Sequence, residues 1–296
     1  MRMKAQHVIL LAALFFCASC AHREVATAPA VPPAPREIKV ALALGAGSSK
    51  GFAHIGVLKI IESNKVPVHI IVGTSAGSFV GSLYAYGYDT YQLQRLAFSI
   101  EKSDIADLTV PDNGFIKGEK LEEYVNRAVR NTPLESMRIP FYAVATDIQS
   151  GQEFVFGKGN TGMAVRASCS IPGIFRPVRI GERTYVDGGL VSPVAVDAAK
   201  RLGADVVIAV DISADQGGAA PESTVETLLQ SIGIMYGRIA SLQLSRADVV
   251  IHPKVGHIAA NDFTKRHEAI LEGEKAALEA LPRIRAAIEA ARGRNR

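Results

Sequence analysis

A serine between two glycines directly follows an apolar segment, and this arrangement constrains the local backbone more than any other part of the chain. Residues 68–72 are rich in valine and isoleucine, which favours a strand, and residues 73–77 read Gly-Thr-Ser-Ala-Gly. Ser78–Tyr86 mixes small and apolar residues and predicts a helix. Small residues around a serine permit the sharp strand-to-helix turn that exposes a nucleophilic hydroxyl. Ser75 is therefore the candidate nucleophile, and a simple glycine-rich turn is the alternative.

Composition narrows the classes of protein that need to be considered. The chain has 296 residues, of which 48% are hydrophobic and 21% charged, which is typical of a globular protein with one sizeable core. The net charge of +4 is small, and lysine and arginine form no block with interleaved aromatics. A nucleic-acid partner is therefore excluded from the prediction. We find no internal repeat.

The N-terminus has the pattern of an export signal. Arg2 and Lys4 precede an apolar run over Val8–Ala18, which is too short to span a bilayer. Ala18 and Ser19 suit the positions before a lipid-modified Cys20. Residues 1–20 are thus predicted as a signal peptide, with lipidation at Cys20 and the mature protein on the periplasmic side of a bacterial membrane. Ordinary cleavage near residue 21 is the alternative.

An alanine- and proline-rich segment separates this signal from the rest of the chain. Residues 21–37 include Pro29, Pro32, Pro33 and Pro35, which favours an extended linker. Residues 38–296 are predicted to form the catalytic domain. They contain a single cysteine, Cys169, so no intramolecular disulfide can stabilise that domain.

The domain alternates apolar strand patterns with helical patterns. This order predicts an α/β fold, a three-layer α/β/α sandwich with a mainly parallel central sheet. A helix predicted over Thr224–Leu244 is either an ordinary packed helix or a lid that faces lipid. Further strands are predicted at residues 38–44, 140–146, 153–156, 184–186, 204–210 and 248–251.

A second glycine-rich loop lies between the first predicted strand and the first helix. Residues 44–51 contain Gly45, Gly47 and Gly51, and small residues let successive amides converge on an anion. The spacing misses the dinucleotide fingerprint by one residue and lacks the Gly-Lys-Ser/Thr of a Walker loop, which disfavours nucleotide binding.

Two kinds of general base remain open from the residues alone. Asp187 ends a predicted strand and is followed by two glycines, which also fits a tight turn. An α/β-hydrolase would instead use a late histidine. The candidates for that role are His252, His257 and His267.

Taken together, the three motifs resemble those of the patatin-like phospholipase family. They are the loop at 46–51 (Ala-Gly-Ser-Ser-Lys-Gly), the serine motif at 73–77 and Asp-Gly-Gly at 187–189. Their order and separations fit the family, and the likeness extends over residues 38–251. Three motifs in order are far more specific than any one of them.

The resemblance implies a lipid or ester substrate and neither metal nor cofactor, whereas the lipid predicted at Cys20 would bring the protein to a membrane surface. It implies Ser75 as nucleophile and Asp187 as base of a two-residue dyad, with the amides of Gly47 and Ser48 as the oxyanion hole and Lys50 nearby. Serine stands at position 48 where glycine is common, so it either crowds the acyl carbonyl or strains the backbone. A lipid-binding or transport module with weak or no catalysis and a histidine-dependent esterase are the alternatives.

Overall fold

The computed structural model describes residues 36–110, 113–213 and 220–294. The predicted signal peptide, Cys20 and nearly all of the linker lie outside these residues. Export and lipidation therefore stay predictions. Among the described residues, no helix is both long and apolar enough to cross a bilayer.

In the part of the chain that the structure describes, eight strands form one sheet, and each predicted strand is present within a few residues of its expected bounds. A short strand, β5, was not predicted from the sequence. The strands are β1 (Val40–Leu44), β2 (Ile70–Thr74), β3 (Phe141–Asp147), β4 (Gln152–Phe156), β5 (Val178–Ile180), β6 (Arg183–Asp187), β7 (Val206–Val210) and β8 (Val249–Ile251).

The helices between the strands cover both faces of the sheet. They are α1 (Phe52–Ser63), α2 (Ala76–Tyr86), α3 (Thr90–Ser99), α4 (Lys102–Ile105), α5 (Glu119–Ala128), α6 (Thr161–Ser168), α7 (Val196–Arg201), α8 (Thr224–Leu244) and α9 (Arg266–Arg294). Pro282 lies inside the last of these, α9.

The strand order is β5-β6-β3-β2-β1-β7-β8, and β4 also pairs with β3. The four pairs at the centre and the β8 edge (β3/β2, β2/β1, β1/β7 and β7/β8) are parallel. The pairs β3/β4, β3/β6 and β5/β6 are antiparallel. The predicted α/β class with a mainly parallel sheet is confirmed, with an antiparallel extension at one end.

Alternate residues of the central strands face the two helical layers. In β1, Leu42 and Leu44 pack into the core under α1, α2 and α9, whereas Ala41 and Ala43 face the layer of α7 and α8. Successive side chains of a strand point to opposite faces, so a strand that is buried on both sides is apolar throughout. This explains why residues 40–44 show no polar alternation.

Two strands lie end to end along one edge of β3. β2 runs parallel to its first half with Thr74 opposite Val144, and β6 runs antiparallel to its second half with Asp187 opposite Ala145. β4 occupies the other edge, where Phe154 is also opposite Ala145. Because Val144 and Ala145 are consecutive, the ends of β2 and β6 meet. The residue after Thr74 is thereby brought next to Asp187.

Candidate active site

Ser75 occupies a strained turn between β2 and α2. Its backbone angles are φ 52° and ψ −123°, in a region that residues with side chains rarely adopt. A Cβ on Gly73 would lie 2.5 Å from the Cα of Ser78, and one on Gly77 would lie 2.0 Å from the carbonyl oxygen of Leu44. Both glycines of the motif are therefore required by close backbone approach, as the motif predicts.

Hydrogen bonds hold this turn in place. The amide of Ser75 donates to Ser168 Oγ at 2.9 Å, and Ser168 Oγ donates to the carbonyl of Val144 at 2.6 Å. The carbonyl of Ser75 accepts from both the amide and the hydroxyl of Ser78. The turn is thus tied to β3 through α6 and to the first turn of α2.

Asp187 ends β6 and is completely buried. Its Oδ1 accepts from the amide of Gly189 at 2.7 Å. A Cβ on Gly188 would lie 2.2 Å from the carbonyl oxygen of Val144 and 3.0 Å from Cγ2 of Thr74. The glycine at 188 therefore lets the end of β6 approach the end of β2.

The surroundings of Asp187 alter its protonation. Burial raises the pKa of its carboxyl from 3.8 to about 6, and the Ser75 hydroxyl, the Gly189 amide and the Tyr236 hydroxyl partly oppose that rise. A carboxylate with this pKa is ionised at neutral pH and is a stronger base than a free aspartate. The Ser75 hydroxyl is close enough to Asp187 to influence its ionisation.

The glycine-rich loop at residues 44–51 faces Ser75. Gly47, Ser48 and Lys50 line a cavity of about 410 Å³ together with Ser75. Within the described chain, no acceptor lies within hydrogen-bond distance of the amides of Gly47 and Ser48. A Cβ on Gly47 would lie 2.6 Å from Cδ1 of Ile212, so any larger residue here would have to displace that side chain. The two amides are thus available to an anion beside Ser75.

Ser48 departs from the expected glycine at a cost in backbone strain. Its φ is +53°, in the left-handed region that glycine occupies freely. Of the two consequences expected from the sequence, the strained backbone is present. For a residue with a Cβ this conformation costs about 1–2 kcal/mol.

His54 holds the glycine-rich loop at residues 44–51 through a hydrogen bond to Gly45. It is fully buried, and its Nε2 lies 2.8 Å from the carbonyl oxygen of Gly45. A carbonyl only accepts hydrogen bonds, so Nε2 carries the proton and donates. Burial lowers the pKa of His54 to about 4, which keeps the ring neutral at physiological pH.

A second cavity also adjoins Ser75. It measures about 140 Å³ and is lined almost entirely by apolar side chains of α1, α2, α3 and α5. Val80, Leu83, Leu93 and Ala97 are among them, and Ser75 lies on its wall. The candidate nucleophile therefore lines both the apolar cavity and the larger one, which has polar as well as apolar walls and is called the polar cavity below.

The three late histidines have partners other than Asp187. His252 Nδ1 lies 3.4 Å from Asp211 Oδ2, and His257 Nε2 lies 2.6 Å from Glu268 Oε1. The ring of His267 packs against Phe98. His257 nevertheless lines the 410 Å³ cavity. No histidine is among the groups that shift the pKa of Asp187.

Sequence reasoning missed two residues of the site. Tyr236 lies on α8 and lines the 410 Å³ cavity together with Ser75. Ser168 Oγ accepts a hydrogen bond from the Ser75 amide. Ser168 belongs to the small-residue run 167–173, which offered a signal of close packing. Tyr236 gave none beyond its place in an amphipathic helix. Among the described residues, no cluster of His, Cys, Asp and Glu could hold a metal ion.

Comparison with known proteins gives matches at the level of sequence and of fold. The profile of the patatin-like phospholipase family matches residues 42–200, which is more than half of the chain. An uncharacterized NTE family protein of Mycobacterium tuberculosis is 34% identical over 197 residues, which cover 64% of this chain and 54% of that protein. Lysophospholipase NTE1 of Coccidioides immitis is 36% identical over 181 residues, covering 59% of this chain and 12% of that protein.

The chain spans about half the length, or less, of these curated relatives. Among solved structures, VipD from Legionella pneumophila superposes with a TM-score of 0.56 at 13% sequence identity, covering 83% of this chain and 67% of VipD. At that identity the likeness concerns the fold. It agrees with the sheet and helix layers described above.

Proposed function

Because the chain belongs to the patatin-like phospholipase family, we propose that it is a serine lipid acyl hydrolase of the phospholipase A or esterase type. The observation that carries the proposal is the meeting of two strand ends, which sets the strained Ser75 beside the buried carboxylate of Asp187. A nucleophile and a base within interacting range are the minimum that acyl transfer requires.

In the proposed reaction, Asp187 accepts the hydroxyl proton as Ser75 Oγ attacks the ester carbonyl. The carbonyl oxygen becomes an oxyanion, which the amides of Gly47 and Ser48 stabilise. Collapse of the tetrahedral species breaks the ester bond, and the proton held by Asp187 passes to the departing alcohol. Water then repeats the sequence on the acyl-enzyme, which releases the fatty acid and restores Ser75.

The two cavities that Ser75 lines support a lipid substrate. The 140 Å³ cavity is apolar and suits an acyl chain, because burial of methylene groups stabilises the complex by about 0.8 kcal/mol each. The 410 Å³ cavity has polar and charged walls, including Lys50 and Glu226, and suits the alcohol portion of the ester. A substrate with its ester bond at Ser75 would then place its acyl chain in one cavity and its alcohol portion in the other.

A panel of substrates together with an active-site probe tests the proposal. Phospholipids, lysophospholipids and simple esters are incubated with the protein, and the products are identified by mass spectrometry. A fluorophosphonate probe is applied separately, and the labelled peptide is sequenced. Release of fatty acid and labelling at Ser75 are expected. A folded protein that is neither labelled nor active would favour the lipid-binding module.

Filling the apolar cavity should shorten the range of accepted acyl chains. Ala97 is buried in α3 and lines this cavity. We expect Ala97→Phe to lower kcat/KM for long-chain esters by at least about tenfold, the effect of displacing two methylene groups. Short-chain esters measured on the same variant are the control and should be hydrolysed at close to the wild-type rate. An equal loss for both classes would place the acyl chain elsewhere.

Removing the late histidines should leave activity nearly unchanged. A variant with alanine at positions 252, 257 and 267 is expected to keep kcat/KM within about threefold of wild type, because the base is a carboxylate. His257 lines the polar cavity, so this experiment distinguishes the dyad from a histidine-dependent esterase. Thermal unfolding of the variant, measured in parallel, accounts for loss of the His252 contact with Asp211. A hundredfold loss in a stably folded variant would support the histidine mechanism.

A further inference from the structure

Two buried polar atoms in the site have no hydrogen-bond partner among the described residues. They are Oδ2 of Asp187 and the hydroxyl oxygen of Tyr236. A buried polar group without a partner carries a desolvation penalty, so such atoms are rare in folded proteins. The two atoms belong to side chains that influence each other's ionisation. They therefore lie within interacting range.

Packing brings Tyr236 to this place. It lies on the buried face of α8 with Ile232 one turn before it and Ala240 one turn after it, and only 4% of its surface is exposed. A Cβ on Gly189 would lie 2.3 Å from Cζ of the Tyr236 ring. The glycine whose amide binds Oδ1 of Asp187 thus also makes room for the phenol.

Few other titratable groups face the carboxylate. Cys169, at the end of α6, interacts with both Asp187 and Tyr236, and Lys50 lines the cavity that Ser75 and Tyr236 share. Burial, and after it the carboxylate of Asp187, raises the pKa of Tyr236 well above 10. The phenol is therefore protonated throughout the physiological range and can act as a hydrogen-bond donor.

We propose that Tyr236 is a positioning residue for the candidate base, whose hydroxyl donates a hydrogen bond to Oδ2 of Asp187 and thereby holds the carboxylate ionised and directed at Ser75. The inference rests on the proposed function. A carboxylate oxygen has two acceptor sites, so Oδ2 can accept from Tyr236 and from Ser75 together while Oδ1 accepts from Gly189. Catalytic hydrogen bonds are often long in the free enzyme and tighten with substrate bound.

The pH dependence of serine labelling tests this role. In the wild type, the rate of fluorophosphonate labelling at Ser75 is expected to fall as pH drops through about 6, where Asp187 becomes protonated. A hydrogen bond to the ionised form lowers a pKa, so its loss raises the pKa. Tyr236→Phe should move the acidic limb upward by at least about half a pH unit. At pH 8.5 the carboxylate is ionised in both proteins, and their rates should differ much less.

Tyr185→Phe is the matched control. It also removes a phenol hydroxyl from a largely buried ring, since Tyr185 is 3% exposed and packs in the cluster of Phe154 and Phe156. Its acidic limb should coincide with that of the wild type. A role of Tyr236 in packing alone would lower the unfolding temperature of Tyr236→Phe and leave its acidic limb in place, and that result would overturn the inference.

A second variant gives a shift of the opposite sign. A fluorinated tyrosine incorporated at position 236 is a stronger donor of the same shape, and it should move the acidic limb to lower pH. It also keeps the test decisive if Tyr236→Phe does not fold. Wild-type protein that is never labelled at Ser75 would refute the proposed function itself. Labelling with the same limb in wild type and both variants would refute only the role of Tyr236.

Discussion

Ser75→Ala is expected to lower kcat for ester hydrolysis by at least about a hundredfold, the range for groups in direct catalytic contact, and to abolish fluorophosphonate labelling. The variant removes the hydroxyl of the strand-to-helix turn. Among the described residues of that turn, Ser75 alone lines both cavities. Initial rates on a phospholipid and on a short-chain ester, with intact-mass analysis after labelling, measure the two effects.

Ser82→Ala is the matched control for this experiment. Ser82 is a buried serine of α2, the helix that follows Ser75, and its hydroxyl donates to the carbonyl of Phe79. It should retain both turnover and labelling. Wild-type turnover by purified Ser75→Ala would contradict the proposed nucleophile.

Asp187→Asn should lower the catalytic rate and raise the stability of the fold. Asparagine cannot accept the hydroxyl proton, so we expect kcat to fall by at least about a hundredfold at every pH. The same variant should be more stable than wild type at neutral pH, because it no longer holds a completely buried charge. Steady-state rates and denaturant unfolding at several pH values measure the two effects.

The gain in stability should depend on pH in a defined direction. The pKa of Asp187 rises from 3.8 to about 6 on folding, so the folded state holds a proton that the unfolded state loses between those values. The free energy of unfolding of the wild type therefore falls as pH rises from about 4 to about 6. The difference corresponds to ~3 kcal/mol at most, fully present above pH 6. Asp187→Asn should match the wild type near pH 4 and exceed it above pH 6.

Asp211→Asn provides a control with the opposite sign. Burial opposes ionisation of Asp211 as well, but hydrogen bonds from His252 and Ser213 outweigh it and hold the pKa below the ordinary value. Ionisation of Asp211 thus stabilises the fold above pH 4, and Asp211→Asn should be less stable than wild type at neutral pH. A stability gain in both variants would indicate a general effect of removing negative charge. A loss in both would contradict the high pKa of Asp187.

Local sequence predicted the elements and the turn chemistry well. The helix α8 has the bounds that its apolar pattern predicted, and α2 extends only two residues beyond its prediction. Gly73 and Gly77 predicted a tight turn. The structure shows why glycine is needed there, because a side chain on Gly73 would collide with the backbone of Ser78 and one on Gly77 with the backbone of Leu44. Such contacts involve residues that are close in sequence or on the adjacent strand. A short sequence motif after a strand can therefore predict them.

Other features were beyond the reach of the sequence. The antiparallel pairing of β6 with β3 does not follow from strand order, and it is this pairing that carries Asp187 to the end of β2. Tyr236 follows Asp187 by about fifty residues, and nothing in its neighbourhood marks it as different from other buried residues of α8. The role of His54 in holding the loop at Gly45 depends on a contact made inside the core.

The sequence by itself determined the strained serine turn, the glycine-rich anion loop and the alternation of strands and helices, since each depends on the conformational preferences of a few adjacent residues. Only the tertiary structure decided which acid stands beside Ser75, how far burial raises its pKa, and that an apolar and a polar cavity meet at that serine. Those properties arise from segments that are far apart in the chain. Desolvation and cavity shape exist only once such segments have packed together.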